Sequence, residues 1–386
     1  MKRGIAIAIM TLLAACGGVD TKNQSGDEKS QNAKSGEVVD AGFIVEGYPA
    51  SVAKSIQDHE IALSKAAMTI PDATNQRRQG GNKPYSSVVI NSFHRWKPGS
   101  TIKVAFLGGN PTLYEQIERV AGIWTAPGLA NLTLSFRNEQ GAFRLWTPND
   151  KTYSGEIRVA FTDTGYWSLV GTDSITKQIE GGNPYEPSMN FAQFPAAIPH
   201  NWEIVVLHEF GHALGFEHEH QSPAVNCGFR FDDDPNYVPT RNVRGVFVAD
   251  IAGRRPGLYT YLGGPPNKWN PSQIDFNLRT ITESSGYPLS AFEISEYDAK
   301  SIMEYYFEPI MFSAGKNSPC YIARENAQLS AQDKIAASRA YKAGAAGLAA
   351  SILQESEILA IENSKSASAE LREAVRSRRK LVGKLN

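Results

Sequence analysis

Neither sign of charge is in excess in this chain of 386 residues: 39 Lys and Arg stand against 40 Asp and Glu, a formal net charge of −1. Nothing therefore indicates a basic face for meeting phosphates, and nucleic-acid binding is set aside. Long apolar runs are missing too. The N-terminal one, residues 5–13, falls short of the roughly 20 residues that a membrane-spanning helix needs. Cysteine is sparse, confined to Cys16, Cys227 and Cys320. The acidic triplet Asp232, Asp233 and Asp234 lacks the spaced oxygen series of a calcium loop and reads as a solvated turn.

What is present at the N-terminus, MKRGIAIAIMTLLAAC, couples basic residues to the short apolar run and to small residues before Cys16, the make-up of a bacterial export signal. Leu13, Ala14, Ala15 and Cys16 resemble a lipoprotein processing box, so residues 1–16 are expected to be signal, with Cys16 carrying lipid at the new N-terminus. Gly17 resembles the residue found there in lipoproteins sent to an outer membrane, where the cell has one. A plain secretory signal is the alternative. Lipidation of Cys16 leaves Cys227 and Cys320 as an even pair in a compartment that permits disulfides; two buried thiols are the other reading. Residues 17–38 are polar and cannot bury enough surface to fold, which makes them a tether. In residues 39–83, Val52, Ile56, Leu63 and Ala67 predict a short amphipathic helix, and a linker follows with Arg77 and Arg78, either a cleavage point or an ordinary solvated pair.

The stretch HEFGHALGFEHEH, residues 208–220, carries the chemistry. His208 and His212 are four apart, so a helix sets them on one face within reach of one ion. Glu209 stands beside them, placed to act on a water at the remaining coordination position. Gly215 permits the left-handed turn that ends the helix and returns the chain, bringing His218 in as a third imidazole. Three nitrogens with an open position suit a catalytic zinc rather than a closed structural one, and they leave no ligand role for Cys227 or Cys320. His220 follows too closely to be counted as a fourth ligand, His59 and His94 have no ligand spacing, and His200 reads as a surface or capping residue.

The run H-E-x-x-H-x-x-G-x-x-H resembles the metzincin zinc peptidases, and Glu219 directly after the third histidine is similar to the astacin family within them. SIMEY, residues 301–305, resembles that family's Met-turn. The resemblance implies that Met303 packs beneath the zinc ligands and that Tyr305 lies near the metal, binding it and swinging onto the transition state. As bare residue types, both also fit an ordinary core. Glu304 departs from the histidine usual in astacins, and its carboxylate either alters the field of the cleft or points away into solvent. Glu46, Gly47 and Tyr48 resemble the pro-segment neighbourhood whose aspartate binds the zinc, but Tyr48 stands in that aspartate's place.

Around the motif, residues 87–90, 101–107, 132–136 and 157–161 predict strands, residues 111–123 a helix, and residues 165–174 a border of the cleft, with Trp167 in the core. Asn201 predicts the N-cap of the zinc helix, one side of which is expected to be exposed. Residues 221–300 are too long for a bare connection and should hold structure of their own. A helix after Ser330 resembles the terminal helix of an astacin domain; the alanine-rich tail beyond it should form two helical pieces parted at 363–368. Its basic cluster Arg376, Arg378, Arg379 and Lys380 reads as a solvated face.

The expected architecture is α+β: a two-lobed, astacin-like zincin over residues 84–341 with an active-site cleft, a long lower-lobe insertion and a helical C-terminal extension, 342–386. The expected activity is zinc-dependent endopeptidase action on polypeptides, with His208, His212, His218 and Tyr305 toward Zn(2+) and Glu209 as general base. Gly215, Met303, Cys227 and Cys320 have structural roles. A surface-anchored binding protein with a non-catalytic zincin domain, and a zinc hydrolase of non-peptide substrates, are the alternatives. The expected location is the cell envelope, through lipid on Cys16.

Overall fold

Ile102, Val104 and Phe106 lie on one side of strand β1, Thr101–Phe106, and all three are fully buried, as a half-buried strand's period of two requires. The computed structural model describes residues 47–68, 85–86, 90–91, 93–282, 292–293 and 295–385. The export signal, Cys16, the tether, Glu46, Arg77, Arg78 and most of the strand expected at 87–90 lie outside the described residues. Strand β1 belongs to a five-stranded sheet completed by β2 (Thr133–Ser135), β3 (Ile157–Ala160), β4 (Tyr166–Ser168) and β5 (Met189–Phe191), in the order β2-β1-β3-β5-β4. The first four strands of that order are parallel and β4 runs antiparallel to β5, which leaves β4 on the edge. A helix-containing crossover from β1 to β2 and the helices packed on the sheet make this a mixed α/β fold.

Helix α1 (Ala50–Met68) precedes the sheet, and α2 (Pro111–Ala121) follows β1. The Asn110 side chain accepts the Leu113 N–H at 3.1 Å and Pro111 opens the first turn of α2, so this helix starts where its sequence demands. It buries Leu113, Tyr114, Ile117, Val120 and Ala121. The metal-motif helix α3, Trp202–Ala213, packs against α2, β4 and β5. The expected exposed side of α3 is absent over residues 205–213, all of which are buried. The reason is that Ile302 and Met303 join the same core as Val206, Phe210 and Leu214, with Met303 packed at Gly211 of the helix. Asn201 occupies the N-cap position, yet its side chain makes no cap and instead donates to Glu325 at 2.9 Å.

A second core lies below. Residues 221–300 do carry their own elements, including a ribbon of Thr240–Arg241 with Phe247–Val248, helix α4 (Leu258–Gly263) and helix α5 (Pro271–Leu278). Leu258, Leu262, Ile274 and Leu278 from these helices pack with Tyr305, Phe307, Met311 and Phe312. The Cys227–Cys320 disulfide lies in this core, as the even pair predicts. In the acidic triplet, Asp234 pairs with Arg230 at 2.9 Å, and Asp233 accepts the Gly257 N–H at 2.6 Å.

The C-terminal helices are α6 (Ala331–Ala340), α7 (Gly344–Glu362) and α8 (Ala369–Val382), broken at the expected place. Their basic cluster is only in part a solvated face: Lys380 is exposed, whereas Arg376, Arg378 and Arg379 are half-buried or buried. Arg376 and Arg379 each reach Glu362 at 2.8 Å, and Arg378 is buried, because α8 folds back onto α7 and brings the acid to the bases. The tail closes on the sheet where the Thr101 N–H donates to Leu385 O at 2.8 Å. Among the described residues, no helix is long and apolar enough to cross a membrane.

Candidate metal centre

Helix α3 presents His208 and His212 one turn apart, and Gly215 then takes φ +95°, a left-handed conformation that suits glycine. The Gly215 N–H donates to His212 O at 2.7 Å and the Phe216 N–H to Gly211 O at 3.1 Å, a tight reversal that delivers His218 to the same point. The three histidines are buried, and their ligand atoms all lie within 4.8 Å of one another.

The protonation of these rings follows from what their outer nitrogens touch. His208 Nδ1 faces Ile302 O at 2.7 Å, and His212 Nδ1 faces Phe216 O at 2.7 Å. A carbonyl only accepts, so both Nδ1 atoms carry the proton. His218 Nδ1 lies 2.9 Å from Gln221 Oε1; the Gln221 amide nitrogen donates to Phe276 O at 2.9 Å and Arg279 O at 3.0 Å, which fixes its oxygen as the atom facing the ring. Burial holds all three imidazoles neutral, driving His208 down to about 4 and the other two well below their ordinary value. Each Nε2 is therefore an unprotonated lone pair, and the Tyr305 hydroxyl is placed to donate to that of His218. The Nε2 separations of 3.2 Å for His208–His212 and 2.8 Å for His212–His218 are not hydrogen bonds, since no proton lies between them. Converging lone pairs in an apolar interior repel unless a cation takes them, and nitrogen donors with outer-shell carbonyl and amide acceptors are those that suit zinc. The donor set thus fits that ion, and the cluster of His208, His212 and His218 with Glu209 at its side matches a zinc-protease catalytic site.

Met303 is buried against the ligand helix, and its position depends on a glycine that sequence reasoning did not single out. A Cβ on Gly211 would collide with Met303 Sδ and the Trp124 ring. The Tyr305 hydroxyl lies 2.7 Å from His218 Nε2, on the metal side, with its ring stacked 4.6 Å from that of His208. Glu304 takes neither orientation expected for it. It is buried next to Glu219 and Tyr297, and burial, with the neighbouring Glu219, pushes its carboxyl well above the usual range. Burial thus disfavours the charged form of this carboxyl and weakens any negative field it would lend the cleft.

His220 is not a ligand, since its Nε2 donates to Asn277 O at 3.0 Å, and His200 is exposed. Nothing in the sequence spacing marks His94, yet it lies buried between two carboxylates, with Glu60 Oε1 2.9 Å from Nε2 and Asp173 Oδ2 3.2 Å from Nδ1. These three residues also bring ligand atoms within 4.8 Å. Because the acids approach opposite ring nitrogens at ion-pair distance, the group is an ion triad rather than a chelate. Burial alone would lower the His94 pKa, but Asp173 and Glu60 together hold it well above the ordinary value.

Tyr48 bridges the edge strand and α5. Its hydroxyl donates to Ser168 O at 2.6 Å, its N–H donates to Asn277 Oδ1 at 3.1 Å, and its carbonyl accepts from Gln273 Nε2 at 2.8 Å. Gly47 fits because a Cβ there would come within 2.7 Å of Asn277 Oδ1 and of the Trp269 ring. Trp167 is buried beside Tyr48, the core role expected for it.

Neither a protein-family model nor a curated protein matches the chain. Among solved structures the chain is similar to myroilysin, at 28% identity over 66% of this chain and 99% of that one, with a TM-score of 0.48. A crystal structure of myroilysin aligns at 27% identity over 68% and 93%, with a TM-score of 0.40. High choriolytic enzyme 1, a hatching-enzyme zinc protease from Oryzias latipes, aligns at 15% identity over 67% and 100%, with a TM-score of 0.33.

Proposed function

We propose that this chain is an astacin-like metzincin endopeptidase that hydrolyses peptide bonds in polypeptides. The observation that carries the reading is the convergence of three neutral Nε2 lone pairs beside Glu209 on the ligand helix. His208, His212 and His218 hold the zinc. When bound, the ion supplies an acidified water and polarises the scissile carbonyl. Glu209, buried on the ligand helix, takes a proton as the water attacks and delivers one to the leaving amine. The Tyr305 hydroxyl donates to the oxygen that gains charge. Strand β4 offers backbone groups to an extended peptide, a mode of binding that tolerates many sequences.

Residues 39–83 are proposed to be a latency segment: Gly47 and Tyr48 fill the groove that an extended substrate would use, and no aspartate is needed for that obstruction. Residues 1–16 and 17–38 are proposed as the lipoprotein signal and tether of an envelope-anchored enzyme, and 84–341 as the peptidase domain carrying the 342–386 extension. Comparing Glu209→Gln with the parent on an unfolded polypeptide, with zinc measured in both, tests the central reading. Equal zinc with a rate loss of about 10² to 10⁴ supports it. Unchanged cleavage refutes the role of Glu209, and no cleavage by either protein favours a binding function.

A further inference from the structure

The residue three after the last histidine of the motif touches no reacting atom, yet its side chain is held by three hydrogen bonds next to the site. Gln221 is buried, and each of its amide groups is engaged by a different element. Its nitrogen donates to Phe276 O and Arg279 O, at 2.9 and 3.0 Å. Those carbonyls belong to the last turn and C-cap of α5, where a helix leaves its acceptors unsatisfied. The neighbouring orphan, Asn277 O, is taken by His220 Nε2 at 3.0 Å. The turn that follows the third ligand thus caps α5, and α5 in return orients that turn.

The consequence reaches the metal site. With both N–H groups of Gln221 spent on α5, only Oε1 is left to face His218 Nδ1, at 2.9 Å, and that oxygen only accepts. We propose that Gln221 is a positioning residue for zinc: it locks His218 in the Nδ1–H tautomer, with Nε2 bare toward the ion, and so makes the third ligand depend on helix α5 of the 221–300 insertion. His208 and His212 take the same tautomer from backbone carbonyls, Ile302 O and Phe216 O, whereas His218 takes it from a side chain, three residues on, that is itself anchored to carbonyls 55 and 58 positions further along the chain. This rests on the zinc reading for its purpose but not for its geometry.

The test uses the full chain with ¹⁵N-labelled histidine, first stripped of metal and then titrated with zinc against a chromophoric chelator. Two-bond nitrogen–proton spectra of the metal-free parent should show His218 protonated at Nδ1. Gln221→Met keeps the shape and removes both amide functions; its His218 should populate both tautomers, and its zinc affinity should fall about 10- to 100-fold. Gln221→Glu keeps an acceptor toward Nδ1 while losing both donors, so it should restore the Nδ1–H tautomer and bind zinc more tightly than Gln221→Met, although α5 loses its cap. A merely structural Gln221 would lower the melting temperature of both variants and leave the His218 tautomer and its response to the acceptor unchanged, which overturns the proposal. Protonation at Nε2 in the parent overturns it as well, even if neither variant folds. A parent that binds no zinc defeats the zinc reading, while its His218 spectrum still decides the role of Gln221.

Discussion

Asp333 and His208 are joined through a single residue: Asp333 Oδ2 accepts the Ile302 N–H at 2.9 Å, and Ile302 O accepts the His208 Nδ1–H at 2.7 Å. The same aspartate accepts from Ser301 Oγ at 2.6 Å and forms the capping box of α6 with Ser330. The start of α6 therefore holds the turn at Ser301 and Ile302, and that turn orients the first ligand.

Asp333→Ala is expected to release this turn. Leaving buried donors on Ser301 and Ile302 without their acceptor costs about 1 to 3 kcal/mol for each group left unmet. Thermal unfolding of the metal-free chain should show the loss, and zinc affinity measured by competition should fall with it. Unchanged zinc affinity in a destabilised variant would confine Asp333 to the fold and break the chain to His208.

The His94 triad carries a pH dependence whose sign is set by a raised pKa. Its stabilising contribution is fully present below the unfolded value of about 6.5 and is lost as pH rises through the higher folded value. Melting temperature against pH should therefore decline on the alkaline side. In His94→Gln that decline should shrink, with an overall loss of about 3 to 5 kcal/mol for two buried acids deprived of their cation. A parallel pH profile in parent and variant would show that the triad does not titrate in this way. His59, Arg378 and Glu217 act on the triad's members and are the groups to vary next.

Tyr48→Ala should loosen the groove. Truncating a buried aromatic side chain costs on the order of 3 kcal/mol, enough to raise the open fraction up to about a hundredfold when the segment's closure is what limits access. The measurement is kcat/KM of the full chain on an unfolded polypeptide, and the expected change is an increase. A decrease, with zinc content unchanged, would mean that Tyr48 builds the site instead of blocking it.

The sequence by itself determined the ligand set. Helical periodicity puts His208 and His212 on one face whatever surrounds them, and the left-handed turn at Gly215 needs only the absence of a side chain. The even pair of cysteines and the polar break at 363–368 were legible for the same reason, since each depends on composition or on neighbours in the chain. Only the tertiary structure decided what holds the ligands in place. Gln221 meets α5, Ile302 meets Asp333, His94 meets Glu60 and Asp173, Tyr48 meets Ser168 and Asn277, and Glu304 turns inward beside Glu219. Residue type alone gives a polar side chain no preferred distant partner. Its hydrogen bonds gain their worth from burial, and which of these groups lost their water was settled when the sheet, α5 and the C-terminal helices closed around the zinc helix.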